Sequence, residues 1–164
     1  MTEYILERST LLDRPRSEVF AFFSDPANLE TLTPPWLNFR ILTPKPIEMR
    51  AGALIDYRIS FHGLPLRWRS EITAWEPLDR FVDQQRRGPY RSWVHEHRFI
   101  ERGEATEVID RVRYCVLGGK VIQRLFVARD LERIFEYRTM KMIELMPPSQ
   151  GARPPVPLRL VKRA

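Results

Sequence analysis

The sequence contains one cysteine, Cys115, among its 164 residues. A single thiol excludes an intrachain disulfide and a cysteine-based zinc site. No apolar run approaches the length needed to span a bilayer, and the N-terminal residues carry acids where a signal peptide would have an apolar segment. HExxH, glycine-rich phosphate-loop and GxSxG motifs are also missing. We therefore expect a soluble cytoplasmic protein with no integral membrane segment and no cofactor.

Acidic residues are missing from the end of the chain, where four basic residues follow Pro147 and Pro148. These are Arg153, Arg159, Lys162 and Arg163. The formal net charge is +6, so leaving out these four gives +2 for the rest of the chain. Such a balance argues against a nucleic-acid partner, although clustering could still make a local basic patch. Because the tail is rich in proline, we expect residues 147–164 to be disordered and residues 1–146 to form one domain.

A two-residue period dominates the middle of the chain and predicts a series of strands. Residues 3–12 form a first apolar run, and the later runs, in which apolar and polar residues mostly alternate, are Leu37–Ile41, Ala53–Phe61, Leu66–Ala74, Phe81–Arg86, Trp93–Phe99 and Val108–Val116. One face of these strands is apolar and the other is charged. This pattern predicts an antiparallel sheet with one face covered.

Helical patterns flank these strands. Pro15 and Glu18 predict the start of a short helix, and Asp25-Pro26 separates it from a second one that ends at Pro34-Pro35. From Lys120 to about Met146 the period becomes helical, with apolar residues at spacings of three and four: Leu131, Ile134, Phe135, Met142 and Leu145. We expect this long C-terminal helix to cover the sheet.

Two histidines lie on one face of a single predicted strand. After a Gly-Pro turn, Trp93, His95, His97 and Phe99 alternate with Val94, Glu96 and Arg98. Alternate side chains of a strand share a face, so both imidazoles lie between large aromatic rings. Imidazoles beside apolar surface suit a cavity that holds a mostly apolar ligand with a few polar groups.

Several segments resemble the SRPBCC superfamily, which includes the START and birch-pollen-allergen-like domains. They are Glu18–Leu29, Leu32–Leu37, Gly63–Trp68, Phe81–Gln85 and Gly88–His97. The sequence is most similar to a bacterial ligand-binding subgroup with many uncharacterised members, over residues 3 to about 146. The resemblance implies an α+β helix-grip fold: a curved antiparallel sheet wrapped around a long C-terminal helix, with two short helices after the first strand. Such a fold encloses a cavity between sheet and helix.

The predicted cavity face supplies the candidate ligand-binding residues. They are Tyr57, Trp68, Ser70, Trp93, His95, His97, Asp110, Tyr114 and, from the helix, Arg138. If the register places Asp110 opposite His97, the carboxylate would orient the imidazole and raise its pKa. His95, His97 and Asp110 are also the candidates for acid-base catalysis. Mutual hydrogen bonding would explain the same residues without a ligand.

Two further interpretations concern Arg138 and metal binding. Arg138 interrupts the apolar side of the helix, and it either pairs with a carboxylate of the sheet, snorkels to water or anchors an acidic ligand group. His95 and His97 offer two metal ligands, but zinc needs three or four, and His62 belongs to a separate turn. We therefore expect no metal site.

Three functions remain open because members of the superfamily include carriers, enzymes and inactive modules. The first is binding of a lipophilic or aromatic small molecule in the cavity. The second is an enzyme of the polyketide aromatase/cyclase or dehydratase kind that uses a cavity histidine or aspartate. The third is a non-catalytic interaction module whose cavity is filled by its own side chains. The chain is expected to be a monomer or a homodimer.

Overall fold

A computed structural model describes residues 2–118 and 122–147. Its elements, in chain order, are β1 (Tyr4–Leu12), α1 (Arg16–Ser24), α2 (Ala27–Leu32), a 3-10 turn (Pro35–Leu37), β2 (Arg40–Ile41), β3 (Leu54–Phe61), β4 (Leu64–Glu76), β5 (Arg80–Arg87), β6 (Ser92–Arg102), β7 (Ala105–Cys115), a π-helical turn (Gln123–Val127) and α3 (Ala128–Leu145). The predicted disorder of the tail falls on residues 148–164, which lie outside the described residues. Within the described ranges, no helix is long and apolar enough to cross a membrane.

The seven strands form one sheet in the order β1-β7-β6-β5-β4-β3-β2, and every neighbouring pair is antiparallel. Apart from the first strand, the order follows successive hairpins. At the β3–β4 turn both His62 and Gly63 have positive φ angles, 48° and 82°, which a tight two-residue hairpin requires. That turn places Tyr57 opposite Trp68. The predicted antiparallel sheet is therefore confirmed.

Helix α3 covers the inner face of the sheet and divides the core into two clusters. Leu131 and Phe135 pack in one cluster with Trp68, Trp93 and Val112 of the sheet. Met142 packs in the other cluster with residues that include Phe20 of α1 and Phe99 of β6. Both clusters join helix and sheet, as the helix-grip prediction requires.

Four details of the fold differ from the sequence prediction. Leu37 was expected in a strand but ends the 3-10 turn, because Pro35 fixes the turn and Asn38 takes a left-handed conformation with φ of 44°. The strand β2 therefore has only the residues Arg40 and Ile41. Leu145 was expected on the buried side of the helix but is 40% exposed in its last turn.

The third difference concerns the start of the long helix. The regular α-helix begins at Ala128 and follows a π-helical turn over Gln123–Val127. The predicted start at Lys120 lies outside the described residues. The fourth difference is the exposure of Ile134, which was expected to be buried but is half-buried because it lines the cavity.

Candidate functional site

A cavity of about 180 Å³ lies between the sheet and helix α3. Its wall is mostly apolar and aromatic, and α1, α2 and the segments around β2 also contribute to it. Five polar side chains form one cluster in the wall: Ser70, Asp83, His95, His97 and Arg138. Asp25, Asn28 and Thr33 also line the cavity. An apolar cavity with a few convergent polar groups is the usual form of a small-molecule site.

Asp110 links His95, His97 and Arg138 from the side of the imidazoles that faces away from the cavity. The register pairs it with His97 across β6 and β7, which is the arrangement that the sequence left conditional. Oδ1 accepts a hydrogen bond from His95 Nε2 at 2.9 Å and lies 3.0 Å from His97 Nδ1. Oδ2 accepts a hydrogen bond from Arg138 Nε at 3.2 Å. Burial alone would raise the pKa of Asp110, but Arg138 and the two imidazoles outweigh it and hold that pKa well below its usual range.

His97 lies between two carboxylates and carries the positive charge of the histidine pair. Its Nε2 donates a hydrogen bond to Asp83 Oδ2 at 3.2 Å, and its Nδ1 faces Asp110 at 3.0 Å. Burial disfavours the imidazolium, but these two carboxylates prevail and raise the pKa of His97. Arg138 Nη2 is 3.4 Å from His97 Nδ1. Since both nitrogens then carry hydrogen, that approach is a contact of two cations bridged by Asp110.

His95 has the opposite protonation state. Burial is the main cause that lowers the pKa of His95, and the neighbouring His97 charge lowers it further. An ionised carboxylate only accepts, so the single hydrogen of the neutral ring lies on Nε2 and points to Asp110. Nδ1 is then unprotonated, makes no hydrogen bond within the described chain and lies 3.7 Å from Asp83 Oδ2. His95 therefore offers the cavity a neutral base that is oriented by a carboxylate.

Asp83 connects the histidines to the aromatic wall of the cavity. Ser70 Oγ donates to Asp83 Oδ1 at 3.4 Å and accepts from Trp68 Nε1 at 3.1 Å. The Tyr57 hydroxyl lies 3.3 Å from the same Ser70 oxygen. Burial raises the pKa of Asp83 in isolation, yet His97, His95 and Arg138 together lower it. The carboxylate is thus ionised and lines the cavity as an acceptor.

The charges of the cluster balance. Asp83 and Asp110 supply two negative charges, and Arg138 and His97 supply two positive ones. A buried set of charges is tolerated when each is paired in this way. A neutral ligand leaves the balance intact, whereas an ionised ligand would disturb it.

Seven of the nine residues predicted to contact a ligand line the cavity: Tyr57, Trp68, Ser70, Trp93, His95, His97 and Arg138. Asp110 does not line it, because it lies behind both imidazoles. Tyr114 does not line it either, and its hydroxyl accepts a hydrogen bond from Gln123 Nε2 at 2.9 Å. The interpretation of Arg138 as partner of a sheet carboxylate agrees with its 3.2 Å contact to Asp110.

Sequence reasoning missed Asp83 although a signal for it existed. Counting by two from Phe81, whose ring stacks on His97 at 4.2 Å, places Asp83 on the same inner face. The run Phe81-Val-Asp-Gln-Gln85 hides this because Val82 is also buried. As a result the strand does not read as apolar on one face and polar on the other.

Asp83 also supplies the third donor that a metal site would need. The donor atoms of Asp83, His95 and His97 lie within 4.8 Å of one another. His97, however, is protonated between two carboxylates, and the Arg138 guanidinium lies beside it. A divalent ion would have to displace that proton and tolerate the fixed cation next to it.

Comparison with known proteins identifies the family. Residues 12–126, well over half of the chain, match the family described as polyketide cyclase / dehydrase and lipid transport. The chain belongs to this family. The family lies within the SRPBCC superfamily, and the helix-grip fold that the resemblance implied is the fold observed. No curated protein matches the sequence.

Solved structures of the same fold come from distant relatives. The Zhui aromatase/cyclase of Streptomyces sp. R1128 is 14% identical, with a TM-score of 0.71 and coverage of 93% of this chain and 100% of that one. The major latex-like protein 151 of Panax ginseng is 15% identical, with a TM-score of 0.68 and coverage of 90% and 100%. The TTHA0849 protein of Thermus thermophilus is 16% identical, with a TM-score of 0.61 and coverage of 86% and 98%. At these identities the likeness shows the fold alone.

Proposed function

We propose that this protein binds a small lipophilic or aromatic molecule in the cavity between the sheet and α3. The apolar cavity with one polar end is the observation that carries this proposal. A cavity of about 150 Å³ lined by aliphatic and aromatic side chains holds a benzene molecule. The observed volume of about 180 Å³ therefore favours ligands of one or two rings over an extended multi-ring polyketide.

The polar end further defines the ligand. Because the cluster is charge-balanced, a neutral compound is favoured over a carboxylate. His95 and Asp83 both line the cavity, and their acceptor atoms Nδ1 and Oδ2 lie 3.7 Å apart. One hydroxyl or NH group placed between them could donate to either acceptor. We infer that the preferred ligand is an aromatic or alicyclic ring with a hydroxyl or NH donor.

Thermal unfolding in the presence of small ring compounds tests this proposal. Naphthol should raise the thermal midpoint more than naphthalene, because only naphthol has a hydrogen-bond donor. The stabilisation should grow with naphthol concentration, and the free energy of unfolding should rise by about 2.7 kcal/mol at a hundredfold excess over Kd. Native mass spectrometry of the purified protein would identify a ligand that co-purifies.

A matched pair of helix variants locates the binding. Ile134→Trp fills the cavity and should abolish the stabilisation by naphthol, whereas Ile143→Trp, on the same helix but away from the cavity wall, should retain it. If no ring compound stabilises the wild-type protein, the interaction-module alternative replaces the binding proposal.

A second function, proton transfer to a bound compound, is favoured by His95. His95 lines the cavity, its Nε2 is hydrogen-bonded to a carboxylate and its Nδ1 makes no hydrogen bond within the described chain, which is the arrangement of a general base. A suitable probe is 2-tetralone, a two-ring ketone whose carbon-bound α-protons exchange with D₂O through an enolate. Exchange followed by NMR should be faster with the protein, and His95→Gln should slow the catalysed exchange by roughly 10²–10⁴-fold while retaining binding.

Two results would separate binding from catalysis. His62→Gln changes a histidine in the exposed β3–β4 turn and should exchange like the wild type. If bound 2-tetralone exchanges no faster than the free compound, the enzyme hypothesis fails for this reaction, and the binding proposal stands on the thermal data alone.

A further inference from the structure

The outer face of the sheet carries a row of arginines across neighbouring strands. Arg40 of β2 lies opposite Arg58 of β3, and Arg58 lies opposite Arg67 of β4. On the next pair, Arg69 of β4 lies opposite Arg87 of β5. Adjacent strands are about 4.8 Å apart. Like charges directly opposite one another destabilise a sheet, so this row works against folding stability.

One carboxylate pairs with these five arginines in the part of the chain that the structure describes. Asp56 accepts two hydrogen bonds from Arg69, at 2.7 and 2.8 Å. Arg69 is the main cause that lowers the pKa of Asp56, and Arg67 and Arg87 lower it further. Arg40, Arg58, Arg67 and Arg87 are exposed and make no ion pair with the described residues. Five guanidinium groups against one carboxylate leave a surplus of four positive charges.

Most arginines on the rest of the outer face have a carboxylate partner, although Arg113 of β7 is exposed and makes no ion pair with the described residues. Arg98 pairs with Glu96, Arg102 with Glu107, and Arg111 of β7 with Glu7 of β1. The surplus is therefore concentrated on strands β2–β5.

Exposed leucines accompany the arginines. Leu42 and Leu54 are 47% and 48% exposed and line one groove together with Arg67, Arg69 and Arg87. Arginines beside exposed apolar side chains fit the interface of an anionic bilayer, where lipid phosphates take the charge and the leucines enter the boundary of the acyl chains. Single-stranded nucleic acid is a poorer fit, because its binding surfaces use exposed aromatic rings for base stacking. The two aromatic residues of this groove, Tyr57 and Trp68, are half-buried and buried.

We propose that the outer face of strands β2–β5 docks on an anionic lipid bilayer. The attachment is peripheral and electrostatic, and it is independent of what the cavity holds. Because the attraction is electrostatic, the docking should weaken steeply with salt.

Co-flotation with vesicles tests the docking. The full-length protein is mixed with vesicles of phosphatidylcholine alone or of phosphatidylcholine with phosphatidylglycerol, at low and at physiological salt. We expect binding only to the anionic vesicles. Arg58→Gln/Arg67→Gln should weaken it about tenfold or more, and Arg111→Gln/Arg113→Gln, which removes the same charge from β7, should weaken it much less.

Several outcomes would overturn the proposal. They are absence of binding to anionic vesicles at low salt, equal loss of binding in the two double variants, or tighter binding of a DNA oligonucleotide than of the vesicles. Thermal unfolding checks that each variant is folded. The charge-conserving Arg58→Lys/Arg67→Lys provides a second test, because it must retain most of the binding.

Discussion

At the scale of single residues, the two histidines of β6 differ in protonation although they are two positions apart on one strand. His97 lies between Asp83 and Asp110, which together raise its pKa despite its burial. Burial and the neighbouring His97 charge lower the pKa of His95, because it is hydrogen-bonded to Asp110 alone and lies 3.7 Å from Asp83. His97 is therefore the protonated histidine of the cluster, and His95 is the neutral one that can act as a base.

The raised pKa of His97 predicts a pH-dependent stability. In the unfolded chain its pKa returns to about 6.5. The contribution of His97 to the free energy of unfolding is therefore complete below that value and is lost as pH rises through the raised folded-state pKa. Denaturant unfolding should show His97→Gln destabilised most below about pH 6.5, with the difference from wild type shrinking as pH rises through the raised pKa of His97.

His62→Gln serves as the control for this measurement. His62 lies in the exposed β3–β4 turn, and its exposed pair with Asp130 should contribute little to stability. A gap between wild type and His97→Gln that stays constant over the whole pH range would mean that His97 is not the protonated member of the cluster.

The same protonation state predicts weak metal binding at Asp83, His95 and His97. Metal ligands must lose their protons, and Arg138 places a fixed cation beside the group. We expect zinc at micromolar concentration to leave the thermal midpoint unchanged. We also expect Arg138→Met to increase zinc binding, because it removes the repulsion. Stabilisation of the wild-type protein by stoichiometric zinc would contradict this assignment.

At the scale of elements, the fold depends on helix α3 and its contact with the inner face of the sheet. Phe135 is buried in the core cluster that contains Trp68 and Trp93, and its ring is 5.5 Å from His95. Phe135→Ala should lower the free energy of unfolding by about 3–5 kcal/mol in denaturant titrations. Glu136→Ala, at the neighbouring exposed position, should change it by less than about 0.5 kcal/mol. A similarly small effect at Phe135 would exclude the helix-grip contact.

The elements were predictable where their period was regular and bounded by turn residues. The alternation from Ala53 to Phe61 and from Trp93 to Phe99 placed strands β3 and β6 and the face of both histidines. Leu37 was misassigned because Pro35 and Asn38 impose a turn on a segment that also reads as alternating. Leu145 was misassigned because periodicity does not show where a helix outlasts the sheet it covers.

The sequence predicted which side of the sheet carries the site residues, but it did not predict which of them line the cavity. Alternation placed His95, His97 and Asp110 on the inner side, but it could not show that Asp110 lies behind the imidazoles and Asp83 beside them. Those relations depend on the register between strands, which is set by hairpins and by bulges such as those in the β4–β5 pair. Charge patterning failed in the same way, because Arg40, Arg58 and Arg67 come together only in the folded sheet.

At the scale of the whole molecule, the formal net charge of +6 and the unpaired arginines of β2–β5 predict a salt-dependent stability. Repulsion between Arg40, Arg58 and Arg67 is long-ranged at low ionic strength, where the Debye length is about 30 Å at 0.01 M, and is largely screened at 0.15 M, where it is about 8 Å. The free energy of unfolding should therefore rise over this range by about 0.5–1 kcal/mol.

Replacing two of the arginines should remove most of that rise. Arg58→Gln/Arg67→Gln should be more stable than the wild type at low salt, because it relieves the facing charges, and should approach it at physiological salt. Arg111→Gln/Arg113→Gln breaks the Arg111–Glu7 pair and should leave the rise in place. Urea titrations of the wild type and of both double variants at each salt concentration measure these free energies of unfolding, since urea does not screen charge. If the free energy of unfolding of the wild type falls with added salt, attractive ion pairs dominate this face. The arginine row would then not be a site of surplus positive charge.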